Sequence, residues 1–200
     1  MSIQTSQIKE LREATAAGIL DCREALEATK GDLEQAIAYL KEKGLASAAK
    51  RAGHETNVGV LDLYSHGEGR IGVMVEVNCE TDFVARTEEF RKFAHEIALQ
   101  IAANSPQYVS QEDVPEERII EEKELARNWA LQEGKPEKVI DKIIEGRIQK
   151  FFEEKCLLLQ PYIRDDSKTV DQLKQELVGT LGENITIRRF VRWGVGENSN

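Results

Sequence analysis

Few side chains in this sequence have chemistry to offer. His54, His66 and His95 fall in a polar segment, a glycine-bearing loop and a helix-patterned stretch, and no two stand at a metal-ligand spacing. Cys22, Cys79 and Cys156 are widely spaced and odd in number, which reads as reduced, buried thiols, not as a disulfide framework or a zinc pattern. Cys79 beside Glu80 offers one covalent arrangement, a thiol nucleophile with His95 as its base; the competing reading is a strand-end cysteine packed under a helix. Neither G-x-x-x-x-G-K-S/T nor G-x-G-x-x-G occurs, and the glycines of SHGEGR (65–70) suit a turn. No cofactor and no direct nucleotide binding are expected. What remains is VNCETDFVAR (77–86), where an alternating apolar run stops and Asp82 and Phe83 stand together as the chain turns. Composition alone makes Asp82 an acid in a helix's first turn and Phe83 a core aromatic closing the end of a sheet.

The bulk numbers limit the partners. Two hundred residues suffice for one ordinary domain, or a small one and a medium one, and 40% apolar residues is a globular share. A net charge of −9 argues against nucleic acid as the primary partner, because phosphates repel such a surface. No window reaches the apolar length of a membrane span, and MSIQTSQIKE has neither a signal nor a transit character. The expectation is a soluble protein that meets other proteins in a reducing compartment, a cytoplasm or its equivalent such as a plastid stroma.

The elements that position these residues follow from periodicity. Residues 5–43 carry three short helical patterns: Ile8, Leu11 and Ala14; then Ile19, Leu20, Cys22, Ala25 and Leu26; then Leu33, Ala36, Ile37 and Leu40 behind Asp32 as N-cap, with Gly44 as the stop. LASAAKRAGHETN (45–57) reads as a linker, in part helical. The period then changes from 3.6 to 2. Residues 58–64 and 71–78 flank the SHGEGR turn as a hairpin. Helices are predicted over 88–103 behind Thr87, over 116–132, from Pro136 onward, and after the Thr169/Gln172 capping signature. Residues 185–193 read as a last strand joining the hairpin. The predicted architecture is α+β: a three-helix domain over 1–44, a linker over 45–57, and a core over 58–200 with a three-stranded antiparallel sheet and several helices.

Five stretches carry a resemblance to a known family: LREATAAGILDCREALEATKGDLEQAIAYLKEKG, VEVNCETDFVARTEEF, GKPEKVIDKIIEGRIQKFFEE, QPYIRDDSKTV and RRFVRWGVGE. In this order, and nearly end to end, the chain resembles bacterial elongation factor Ts. The resemblance implies a guanine-nucleotide exchange factor for elongation factor Tu, the GTPase that carries aminoacyl-tRNA to the ribosome. It implies that the three N-terminal helices are of the ubiquitin-associated type and dock on the GTPase domain of Tu through Arg12, Ile19 and Leu20. It matches Thr81, Asp82, Phe83 and Val84 to the family's intruding segment, which pushes into Tu near its Mg²⁺ and phosphate site. Phe83 would then serve a partner's pocket and not its own core. Longer members carry two related core subdomains and an inserted helical hairpin; with one sheet, this chain resembles the short members, in which two chains pair. The residues that touch the second part of Tu are left unassigned.

A homodimer is also expected from patterning. Ile71, Val73, Val75 and Val77 alternate with a face containing Met74, Leu61 and Leu63 oppose Val58 and Val60, and Trp193 stands near the end of the last strand. Helix 88–103 can cover one sheet face; a second copy would cover the other. The alternative is that the helix starting at 136 folds back over that face. A different class of function also fits these patterns: an adaptor whose helical module binds a partner while the core oligomerises, indifferent to nucleotide.

Overall fold

The computed structural model describes residues 3–15 and 17–197. In chain order come α1 (Thr5–Thr15), α2 (Ile19–Ala28), α3 (Leu33–Arg51), β1 (Val58–His66), β2 (Ile71–Cys79), α4 (Asp82–Ala85), α5 (Glu88–Asn104), α6 (Glu116–Gln132), α7 (Glu137–Lys155), β3 (Pro161–Tyr162), β4 (Asp165–Thr169), α8 (Val170–Leu181) and β5 (Ile185–Gly194). A three-stranded antiparallel sheet has the order β1-β2-β5, as the α+β reading requires. The chain divides into two compact units. One gathers the described residues of Met1–Val60, Val77–Phe93 and Gln172–Thr186; the other gathers those of Leu61–Glu76, Ala94–Asp171 and Ile187–Asn200.

In the first unit, α1–α3 close on Leu11, Cys22, Ala25, Leu26 and Ala36, all fully buried, with Ile8, Leu33 and Leu40 packed around them. These are the residues that recur at three and four along each helix, so the apolar stripes meet. Asp32 caps α3 by accepting the Gln35 N–H at 2.9 Å. Gly44 does not stop this helix, contrary to the sequence expectation. An interior glycine costs only about 1 kcal/mol, and Leu45, Ala46, Ala48 and Ala49 are strong helix formers that carry it on to Arg51. Gly44 serves close approach instead. A Cβ on Gly179 of α8 would lie 2.7 Å from the Gly44 Cα, so the two backbones touch where neither residue has a side chain.

In the second unit, α6 and α7 form an antiparallel pair around Ala126, Ala130, Ile140 and Ile144. Residues 161–169 form a small antiparallel hairpin, β3–β4, that the sequence reading missed because QPYIRDDSKTV lacks apolar alternation. The hairpin is tied to α5 by Glu96, which accepts from the Tyr162 hydroxyl at 2.8 Å and from Arg164 at 2.6 Å. Helix α5 covers the inner sheet face: His95 meets Asp62 at 3.1 Å and stacks edge-on to Tyr64, and Arg192 reaches the Ala102 carbonyl. Because α7 packs on α6, it does not fold back over the outer face. Leu61, Leu63, Met74, Val191 and Trp193 remain exposed there.

Candidate partner-binding site

The short helix α4 is built around Thr81. Its backbone is extended, and its hydroxyl accepts the Val84 N–H, closing a single turn over Asp82–Ala85. One turn cannot hold itself together by propensity, since nucleation fixes several dihedrals for one hydrogen bond. Buried neighbours anchor it. Val84 and Ala85 are 6% and 5% exposed, whereas Phe83 is 79% exposed. Successive residues on one turn point apart, so burying Val84 turns Phe83 outward. The reading of Phe83 from composition alone, as a core aromatic, is therefore corrected. Asp82 does occupy the helix's first turn, where it pairs with Arg86 at 2.6 Å; both side chains are solvent-facing. Of Thr81, Asp82, Phe83 and Val84, Asp82 and Phe83 present side chains outward, Thr81 caps the turn and Val84 belongs to the core.

The segment before α4 is also fixed. The Cys79 thiol, fully buried, donates to the Thr81 carbonyl at 3.1 Å. Burial first, and then the Glu183 charge, push this thiol up to about 11, so it is protonated at neutral pH and a poor nucleophile. His95 is committed to Asp62 and Tyr64. The covalent arrangement imagined from sequence is thus unsupported on both sides. Among the described residues, no group of three or more His, Cys, Asp or Glu side chains converges to hold a metal ion, and no helix is long and apolar enough to cross a membrane.

The second patch lies on the three-helix bundle. Ile19 and Leu20 open α2 and are 57% and 80% exposed, while Cys22, Ala25 and Leu26 further along the same helix are fully buried. Arg12 is exposed in the last turn of α1. Lys43 of α3 bonds both Asp21 at 3.1 Å and Glu24 at 2.8 Å, bracing α2 against α3. The Lys43 bond, followed by that from Tyr39, holds the Glu24 carboxyl below its ordinary range.

An exposed aromatic on an anchored turn and an exposed aliphatic pair on a braced bundle define a class: a protein that works by contact with another macromolecule. Comparison with known sequences agrees. A family model described as elongation factor TS matches residues 2–197. The chain is 57% identical to elongation factor Ts of Coprothermobacter proteolyticus over 98% of its own length and all of the relative's. It is 59% identical to that of Caldanaerobacter subterraneus subsp. tengcongensis, covering 98% of each chain. It is 54% identical to that of Heliobacterium modesticaldum, covering 98% and 91%. The chain belongs to the elongation factor Ts family, and its role is that of a guanine-nucleotide exchange factor for elongation factor Tu in translation.

Three residues that brace the start of α4 escaped the sequence reading in that role: Glu80, Glu183 and Asn184. Glu183 bonds Thr81 and Glu80 bonds Asn184, across separations of 102 and 104 residues. No local pattern could have revealed that pairing.

Proposed function

We propose that this chain empties elongation factor Tu of GDP by inserting Phe83, with Asp82, beside the Mg²⁺ and phosphate site, while Arg12, Ile19 and Leu20 dock the helical bundle on the GTPase domain. The single observation that carries this reading is the exposure of Phe83 on a turn whose other apolar members are buried. A residue that contributes nothing to its own core is available for a partner's. The role requires no covalent chemistry, and the chain acts as a binding factor, not an enzyme.

The energetics set the mechanism. A nucleotide held at nanomolar affinity is bound by about 12 kcal/mol. Burying one Phe side chain supplies roughly 1.5–3 kcal/mol. The aromatic alone cannot empty the site. A wedge that also displaces Mg²⁺ removes the cation that neutralises the phosphates, and Asp82 adds repulsion toward them. Exchange depends on preferring the nucleotide-free partner, and linkage is reciprocal: GDP must weaken this protein's binding by the same factor.

The outer sheet face supports a homodimer. Leu61, Leu63 and Trp193 are 61%, 71% and 73% exposed, and large apolar side chains grouped on a sheet face are a surface that monomers seldom leave open. Two such faces related by a two-fold axis would cover each other. A reducing compartment, the cytoplasm or a plastid stroma, suits three free buried thiols. Release of fluorescently labelled GDP from elongation factor Tu, with and without this protein, tests the central reading. Binding that is equal for GDP-loaded and nucleotide-free Tu would instead mark an adaptor.

A further inference from the structure

The intruding turn is held at its base by two carboxylates that cross. Glu183 accepts from the Thr81 backbone N–H at 3.0 Å with one oxygen and from the Thr81 hydroxyl at 2.6 Å with the other. Glu80 accepts the Asn184 backbone N–H at 2.6 Å. Each of the segments 80–81 and 183–184 therefore gives a side-chain carboxylate to the other's backbone. Two further sets of bonds reach the end of α3: His54 lies 3.1 Å from both Glu80 oxygens, and the Asn184 amide donates to the His54 carbonyl at 2.8 Å and to that of Ala52 at 3.4 Å. The Asn184 bond and then the His54 contact hold the Glu80 carboxyl below its ordinary range.

This geometry has a consequence for α4. Thr81 is its N-cap, and the hydroxyl that accepts from Val84 is the one that donates to Glu183. The donated proton fixes which lone pair faces Val84, so the Glu183 bond orients the cap. A one-turn helix with Phe83 79% exposed has only Val84 and Ala85 buried to resist rotation. We propose that Glu183, seconded by Glu80, is a positioning residue for exchange. It acts through the Thr81 cap, which it holds so that Phe83 is presented in one orientation. The inference rests on the wedge reading of Phe83. Charge-assisted bonds are short and strong enough for this task, and a positioned group loses effectiveness steeply when its support loosens.

The test compares Glu183→Ala, Glu183→Gln and Phe83→Ala in labelled GDP release at saturating concentrations of this protein. Glu183→Ala is expected to lower the maximal rate about tenfold, the effect of losing roughly one charge-assisted bond. The half-saturating concentration should move less than about twofold, because docking by the bundle is untouched. Glu183→Gln retains one acceptor oxygen and sets an N–H₂ against the other donor, so it should lie between wild type and alanine. Hydrogen exchange at the Val84 amide should quicken in the same order, with unchanged protection in α5. A maximal rate unaltered in Glu183→Ala while Phe83→Ala is slow would overturn the positioning role and leave the wedge standing. If Phe83→Ala is itself unimpaired, the wedge reading fails and this inference with it. Should Glu183→Ala fail to fold, Thr81→Val reads the same quantity, because it removes the hydroxyl that Glu183 and the Val84 N–H share. It should lower the maximal rate as Glu183→Ala does, and an unaltered rate would refute the proposal.

Discussion

Replacing Phe83 with alanine separates partner chemistry from folding. Phe83 is 79% exposed, so truncation removes little buried area and should change stability by no more than about 0.5 kcal/mol. About four-fifths of the residue's surface is free to be buried by Tu. At the value of a full Phe burial, that is worth roughly 1–2.5 kcal/mol. Expressed entirely in the transition state for release, the loss slows exchange roughly 5- to 70-fold. Val84 supplies the control. It is 6% exposed, adjacent, and faces the core, so Val84→Ala should cost about 1–2 kcal/mol of stability. Stopped-flow release of labelled GDP, together with urea denaturation of the free protein, measures both quantities. A Phe83→Ala protein that unfolds several kcal/mol more easily, or that releases GDP at the wild-type rate, would refute the reasoning.

Four further outcomes are expected. Leu20→Arg should raise the half-saturating concentration for Tu with little effect on thermal stability, because the side chain is 80% exposed; unaltered affinity would remove Leu20 from the docking surface. This substitution is a cleaner probe than deleting residues 1–50, since α3 lies against α8 at Gly44 and Gly179 and a truncation would strip the unit's own packing. Sedimentation equilibrium at micromolar concentration should give a dimer, and Leu63→Lys should dissociate it. A wild-type mass near the single chain's 22.6 kDa would leave the sheet-pairing argument without support. Gly179→Ala should destabilise despite alanine's helix propensity of about 1 kcal/mol over glycine, because its Cβ would meet backbone at 2.7 Å; Gly146→Ala in α7, where nothing lies within 4 Å, should stabilise by roughly 0.5–1 kcal/mol, as calorimetry can check. Finally, the Glu80 carboxyl is held below its ordinary 4.5 by the Asn184 N–H and then by His54. Its contribution to stability is therefore present above about that pH and is lost as pH falls through the lowered value. Glu80→Gln should flatten the acid limb of a denaturation midpoint plotted against pH, and an unchanged limb would count against this account.

Most of the elements, and the family, were legible along the chain. Helical spacing in 5–43 and 88–103 and the period-2 runs at 58–64 and 71–78 are local properties, set by which side chains one backbone geometry can bring to one face. The identity of TDFVAR as a recognisable stretch was equally legible. The direction in which its side chains point was beyond composition and periodicity, and only the family resemblance implied an outward Phe83. Composition made Phe83 a core aromatic, and the burial of Val84 and Ala85 turned it out. The role of Gly44 shows the same division: glycine in a pattern reads as a stop, but contact with Gly179, distant in sequence, made it a crossing point inside a longer helix. The brace at Glu80, Glu183 and Asn184 had no sequence signal, because its partners are about a hundred residues apart. Periodicity reports only on neighbours along the chain. A hydrogen bond between distant segments is fixed by the fold that brings them together, and here that fold determines how the exposed residue is presented.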